Sequence, residues 1–121
     1  MANAVLVIDM LRGFLEEGYP LYCGDNARRI IPNIQALLER ELAQGSKVFF
    51  LCDHHTPDDP EFKMFPPHCI EGTAEAEVIP ELAQYQGEVI PKRRFSAFFD
   101  TPLERKLTKL KPEKLIACGV C

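Results

Sequence analysis

The sequence holds no apolar run near the ~20 residues that a membrane span needs, which excludes a transmembrane helix. Its five cysteines are an odd number at irregular spacings, with no C-x-x-C among the first three, so no disulfide framework is expected and the thiols read as reduced. The start MANAVLVIDM is too short and meets an acid too soon to be a signal peptide, and the expected location is cytoplasmic. Positive charge is scarce over most of the chain. Residues 1–91 hold 6 basic and 15 acidic side chains, while residues 92–121 hold 8 basic and 3 acidic. That basic end lacks aromatic interleaving beyond Phe95, Phe98 and Phe99, which read as an apolar cluster, and the whole chain is acidic at −4. A solvated helix face explains it better than a nucleic-acid surface, so neither nucleic acid nor membrane is an expected partner.

What is present is one globular domain's worth of chain. Its 121 residues are 46% hydrophobic, and a chain of this length buries roughly two-thirds of its unfolded surface without needing staples. Ala4 to Ile8, Val48 to Cys52 and Leu115 to Val120 have strand character, and the shorter β-branched Glu88-Val89-Ile90 makes a fourth. Helical patterns lie between them. Ile30, Ile34, Leu37, Leu38 and Leu42 recur at helical spacing and stop at Gly45, with Pro32 marking a start or a kink. A helix is expected from about Ala74 to Gln84, interrupted by Pro80. Another is expected with Thr101 as N-cap, Pro102 at N1 and Glu104 at N3 in a capping box, Leu103, Leu107 and Leu110 on one face, and Pro112 beyond its end. This βαβ rhythm predicts an α/β fold, a Rossmann-like three-layer α/β/α arrangement around a parallel sheet.

Ligands of parallel α/β sheets bind at the carboxyl ends of the strands, so the polar residues just after each run are the first suspects. Asp9, Asp53-His54-His55, Lys92 and Cys121 hold those places. Each has a plainer role open to it: Asp9 as a cap, Lys92 as one of three solvated cations with Arg93 and Arg94, Asp53 and His55 as loop residues. In an extended D-x-H, however, two ligand types point the same way and His54 points away. His68 returns from the far end of a loop of about twenty residues, a length usually functional or disordered. Asp53, His55 and His68 make three N/O ligands with room for water or substrate, suiting Zn²⁺ first, with Fe²⁺ or Mn²⁺ as neighbours. Cys52 and Cys69 are the competing ligands, with Cys52 expected to pack inward.

VLVIDMLRGF, FLCDHH, FPPHCIEGT, PKRRFSAFF and LIACGVC, in that order, resemble the isochorismatase-like cysteine hydrolases, and within them the nicotinamidases (pyrazinamidases). The D-x-H followed by F-P-P-H-C-I-E-G-T resembles the metal signature of nicotinamidases, and K-R-R-F-S-A-F the segment carrying the family's lysine. The resemblance implies a six-stranded parallel sheet of order 3-2-1-4-5-6, of which this chain supplies four strands. It therefore implies that residues 1–121 are a single hydrolase domain, C-terminally incomplete. It also implies an Asp, Lys and Cys triad, with Asp9 and Lys92 in the first two places. The nucleophilic cysteine falls four residues beyond the position of Cys121, and the cis peptide Val120–Cys121 contributes to an oxyanion hole. Phe14 and Phe65 match the walls of a ring pocket. The implied activity is conversion of nicotinamide to nicotinate and ammonia through a thioester, in pyridine-nucleotide salvage, with a metal orienting the substrate. Oligomeric state stays open. So do three alternatives: a metal-free isochorismatase-type or other amide hydrolase, an inactive metal-binding or partner-binding module, and a redox or nucleophilic role for Cys121 with Cys118.

Overall fold

The structure is a computed structural model and describes residues 2–120. Its elements, in chain order, are β1 (Ala4–Ile8), α1 (Arg12–Leu15), α2 (Asp25–Arg28), α3 (Ile31–Ala43), β2 (Lys47–Asp53), α4 (Pro80–Ala83), β3 (Glu88–Lys92), α5 (Leu103–Leu110) and β4 (Leu115–Gly119). Two 3₁₀ turns, Pro60–Lys63 and Ala74–Ala76, punctuate the segment between β2 and α4. The four strands form one all-parallel sheet of order β3-β2-β1-β4, the first four places of the expected order. No helix of the described residues is long and apolar enough to cross a membrane.

The inner strands β1 and β2 are buried on both faces, which is why they read as continuous apolar runs and not as alternation. Val5, Val7, Val48, Phe50 and Cys52 face one layer, where Phe14 and Leu15 of α1, Ile31, Ile34 and Leu38 of α3, and Leu82 of α4 close over them. Ala4, Leu6, Phe49, Leu51 and Ile90 face the other, under Leu103 of α5, with Leu107 and Leu110 packed at its margin. Pro91 lies within β3, a place a ladder tolerates because β3 is an edge.

Four details differ from the sequence reading. Pro80 does more than interrupt a helix: residues 74–84 divide into a 3₁₀ turn and the separate α4, because Pro80 lacks the N–H a continuing helix needs and starts a new one. Helix α5 begins one residue later, with Pro102 in the N-cap position. Thr101 serves it from further out, its Oγ1 accepting the Leu103 N–H at 3.3 Å while its hydroxyl donates to the Ala97 carbonyl. Phe95, Phe98 and Phe99 do not form a buried cluster; they are 77%, 48% and 61% exposed, since α5 covers the sheet through its leucines. Finally, β4 ends at Gly119, one residue earlier than expected, where φ is +128°.

Candidate functional site

Strands β1, β2 and β3 deliver one candidate functional residue each at their carboxyl ends. Asp9 follows Ile8 directly, its N–H extending the ladder to the Leu51 carbonyl at 2.8 Å. Its φ of +52° is a left-handed conformation, which Asp tolerates better than most residues and which is concentrated at functional sites. Asp53 ends β2 and lies in register with Lys92, which ends β3. Asp9 and Lys92 are each 2% exposed. The Lys92 Nζ stands 2.6 Å from Asp53 Oδ1, 3.1 Å from Asp9 Oδ2 and 3.2 Å from the Arg94 carbonyl, so three acceptors surround an ammonium with three protons. Asp9 Oδ1 also accepts the Asp53 N–H at 3.1 Å. Burial, reinforced by the charge of Asp53, pushes the Asp9 carboxyl up to about 7 against the opposing pull of Lys92. Burial works against the charge on Lys92, but Asp9 and Asp53 together outweigh it and raise its pKa.

Asp53 has two faces. While Oδ1 holds Lys92, Oδ2 lies 3.5 Å from His55 Nε2 and 3.9 Å from His68 Nε2. His68 comes back to this point because the returning loop is stitched to the end of β2: His55 N–H donates to the Cys69 carbonyl at 2.9 Å, and Glu71 N–H to the His55 carbonyl at 2.8 Å. Asp53, His55 and His68 are all buried, and one donor atom from each lies within 4.8 Å of the others. Glu61 completes the ring, with Oε2 3.1 Å from His55 Nε2 and 3.6 Å from His68 Nε2.

Hydrogen bonding assigns both tautomers. His68 Nδ1 sits 2.8 Å from the Pro66 carbonyl and His55 Nδ1 3.0 Å from Asp59 Oδ2; both partners only accept, so each Nδ1 is the donor, and each Nε2, turned toward the cluster, is the nitrogen left to meet a metal. His55 Nε2 is a buried atom with no hydrogen-bond partner among the described residues, a costly state unless something else occupies that lone pair. Donor separations of 3.1 to 3.9 Å compare with about 3.3 Å for the edge of a tetrahedron with bonds of about 2.0 Å. The donor set fits a divalent ion.

The competing thiols are elsewhere. Cys52 packs into the sheet core, where burial first and then the charge of Asp9 push its pKa up to about 12. Cys69 is fully buried, with Sγ 3.4 Å from the Glu75 carbonyl. His54 points away from the cluster, its Nε2 at 3.2 Å from the Ala76 carbonyl.

Aromatic rings line the inner side of the cluster. Phe14 is buried with its ring centroid 5.9 Å from that of His68, and Phe65, 37% exposed, stands 6.5 Å from it. Phe62 lies 5.4 Å from His55 and 5.5 Å from His68. The Val120 N–H donates to the Ile8 carbonyl at 3.0 Å and continues the β1–β4 pairing. Cys121, and with it the peptide bond that joins it to Val120, lies outside the described residues. Sequence reasoning missed Asp59, Glu61 and Phe62. The run Asp59-Pro60-Glu61 held the available signal, a capping acid followed by a proline at the first position of a turn.

A buried acid–lysine pair thus stands at the carboxyl edge of a parallel α/β sheet with helices on both faces, and shares one carboxylate with an N/O donor cluster. The chain belongs to the isochorismatase family, whose domain matches residues 3–121. It is 32% identical over 132 residues to an isochorismatase family protein, PncA, of Bacillus subtilis strain 168, covering all of this chain and 72% of that one. It is 31% identical over 129 residues to a probable inactive nicotinamidase of Arabidopsis thaliana, covering 98% of this chain and 65% of that one. The solved pyrazinamidase/nicotinamidase of Streptococcus mutans superposes with a TM-score of 0.90 at 27% identity, over 99% of this chain and 72% of that one.

Proposed function

We propose that this hydrolase acts on nicotinamide, releasing nicotinate and ammonia, within the cytoplasm and in pyridine-nucleotide salvage. The observation that carries the reading is the double engagement of Asp53, which joins the acid–lysine pair to the histidine cluster through its two oxygens. A site so joined can hold one end of a flat substrate and process the other. Asp53, His55 and His68 would hold a divalent metal, Zn²⁺ first and Fe²⁺ or Mn²⁺ next, with Glu61 in reach. When bound, the metal would supply a Lewis acid for the ring nitrogen of the substrate.

The chain's own residues account for the rest. Phe14 and Phe65 form walls for a planar ring, and their position beside His68 supports that role. The resemblance sets the nucleophilic thiol after β4, the strand paired with β1, and hence beside Asp9. Asp9 takes the thiol proton as sulfur bonds to the carboxamide carbon, then returns it to nitrogen as the C–N bond breaks and ammonia leaves. Lys92 holds Asp9 in place and, as a buried cation, stabilises the thiolate. Water then cleaves the thioester. The amide of Cys121 is assigned to the oxyanion hole.

The test is ammonia release from nicotinamide by the protein isolated from its natural source, with intact mass measured on the same sample. Release that falls about 10²–10⁴-fold in Asp9→Asn, the range expected for loss of a proton acceptor, supports the reading. Nicotinamide left intact while an isochorismate-type ether or another amide is cleaved would overturn it.

A further inference from the structure

Asp59 has no place in the chemistry described so far, although it is 4% exposed and four residues from His55. It occupies the N-cap of the Pro60–Lys63 turn. Its two oxygens serve different partners. Oδ2 faces the His55 Nδ1 at 3.0 Å, and Oδ1 accepts the Glu61 N–H at 2.8 Å. Those partners meet again inside the cluster, where His55 Nε2 and Glu61 Oε2 are 3.1 Å apart. A single buried carboxylate therefore holds the back of a ligand ring and the start of the turn that carries the neighbouring carboxylate. On its outer side the Arg94 Nη1 approaches Oδ2 at 3.3 Å, while the Arg94 carbonyl accepts from Lys92.

We propose that Asp59 is the positioning residue of the metal centre, locking the His55 tautomer with its Nε2 lone pair inward and fixing Glu61 beside it. This rests on the metal reading above. The residue must be an acid because both of its oxygens accept. An amide in its place has one acceptor: turned to cap Glu61, it would present an NH₂ to His55 and drive the proton to Nε2; turned to His55, it would release the turn. Either outcome loosens the site without changing the volume of the side chain.

The experiment titrates chelator-stripped wild type and Asp59→Asn with Zn²⁺ alone, and reads the His55 tautomer in both metal-free proteins by nitrogen-15 NMR. The expected result is Zn²⁺ binding weakened about 10–100-fold in Asp59→Asn, as for loss of other outer partners of metal ligands. It comes with His55 protonated on Nδ1 in the wild type and at least partly on Nε2 in the variant. A purely structural role would leave that tautomer unchanged. Wild-type binding matched by Asp59→Asn with the same tautomer would overturn this proposal alone. A wild type that binds no Zn²⁺ would overturn the metal reading, and this one with it.

Discussion

Lys92 is the residue on which the buried charge balance turns. Its ammonium is the cation that Asp9 and Asp53 share, and removing it leaves two carboxylates facing each other out of water. Lys92→Met should destabilise the protein by about 3–5 kcal/mol, the range for breaking a buried ion pair on one side. Urea unfolding checks this, and an unchanged midpoint would contradict it. Cys52, at the end of the adjoining strand, should behave in the opposite way from a reactive thiol. With its pKa near about 12 and its side chain in the core, it should resist alkylation at mildly alkaline pH in the native protein and react only after unfolding. Peptide mapping that finds Cys52 modified under native conditions, alongside the exposed Cys23, would contradict the buried placement. The residues that end strands were legible in the sequence because strand ends and D-x-H parity are local facts. Asp59 and Glu61 were not, since their value arises only when a loop with no hydrophobic period folds back over His55.

At the scale of elements, the sheet was readable from its apolar runs, and the strand order from the family resemblance. The 74–84 segment was not, because hydrophobic spacing alone does not say whether a proline bends a helix or begins another. Two elements carry their own predictions. The close approach of β4 to β1 depends on Gly119: a Cβ there would stand 2.1 Å from the Ile8 carbonyl oxygen, and its φ is +128°. Gly119→Ala should therefore cost about 2–4 kcal/mol by forcing β4 away from β1, measured as a lowered melting temperature. A variant as stable as the wild type would mean that the edge strand is held otherwise. At the end of α3, buried Glu41 accepts from Asn3 Nδ2 at 2.8 Å and Ser46 Oγ at 2.9 Å, tying the helix to the entrances of β1 and β2. These two hydrogen bonds, against the cost of burial, hold its pKa below the ordinary glutamate value. The contribution is complete above that ordinary value, about 4.3, and is lost as pH falls through the lowered folded value. Glu41→Ala should cost about 1–3 kcal/mol near neutrality, with the gap to wild type narrowing as pH falls below about 4. A gap independent of pH would show that the carboxylate's charge plays no part.

At the scale of the whole molecule, the carboxyl edge of the sheet carries two joined devices, a buried acid–lysine pair and a ring of N/O donors, with Asp53 common to both. Family membership makes the fold and hydrolase class firm, and the donor ring is the part of the site that a metal titration tests. The neighbouring histidine supplies an internal control, since His54 lies next to His55 in sequence but faces the other way. The most direct measurement is calorimetric titration of the chelator-stripped protein with Zn²⁺, in the wild type and in His54→Ala, His55→Ala and His68→Ala. The donor geometry predicts one equivalent bound by the wild type and by His54→Ala, with binding abolished or severely weakened in the other two. Absence of binding in the wild type, or binding that survives unchanged in His55→Ala and His68→Ala, would contradict it.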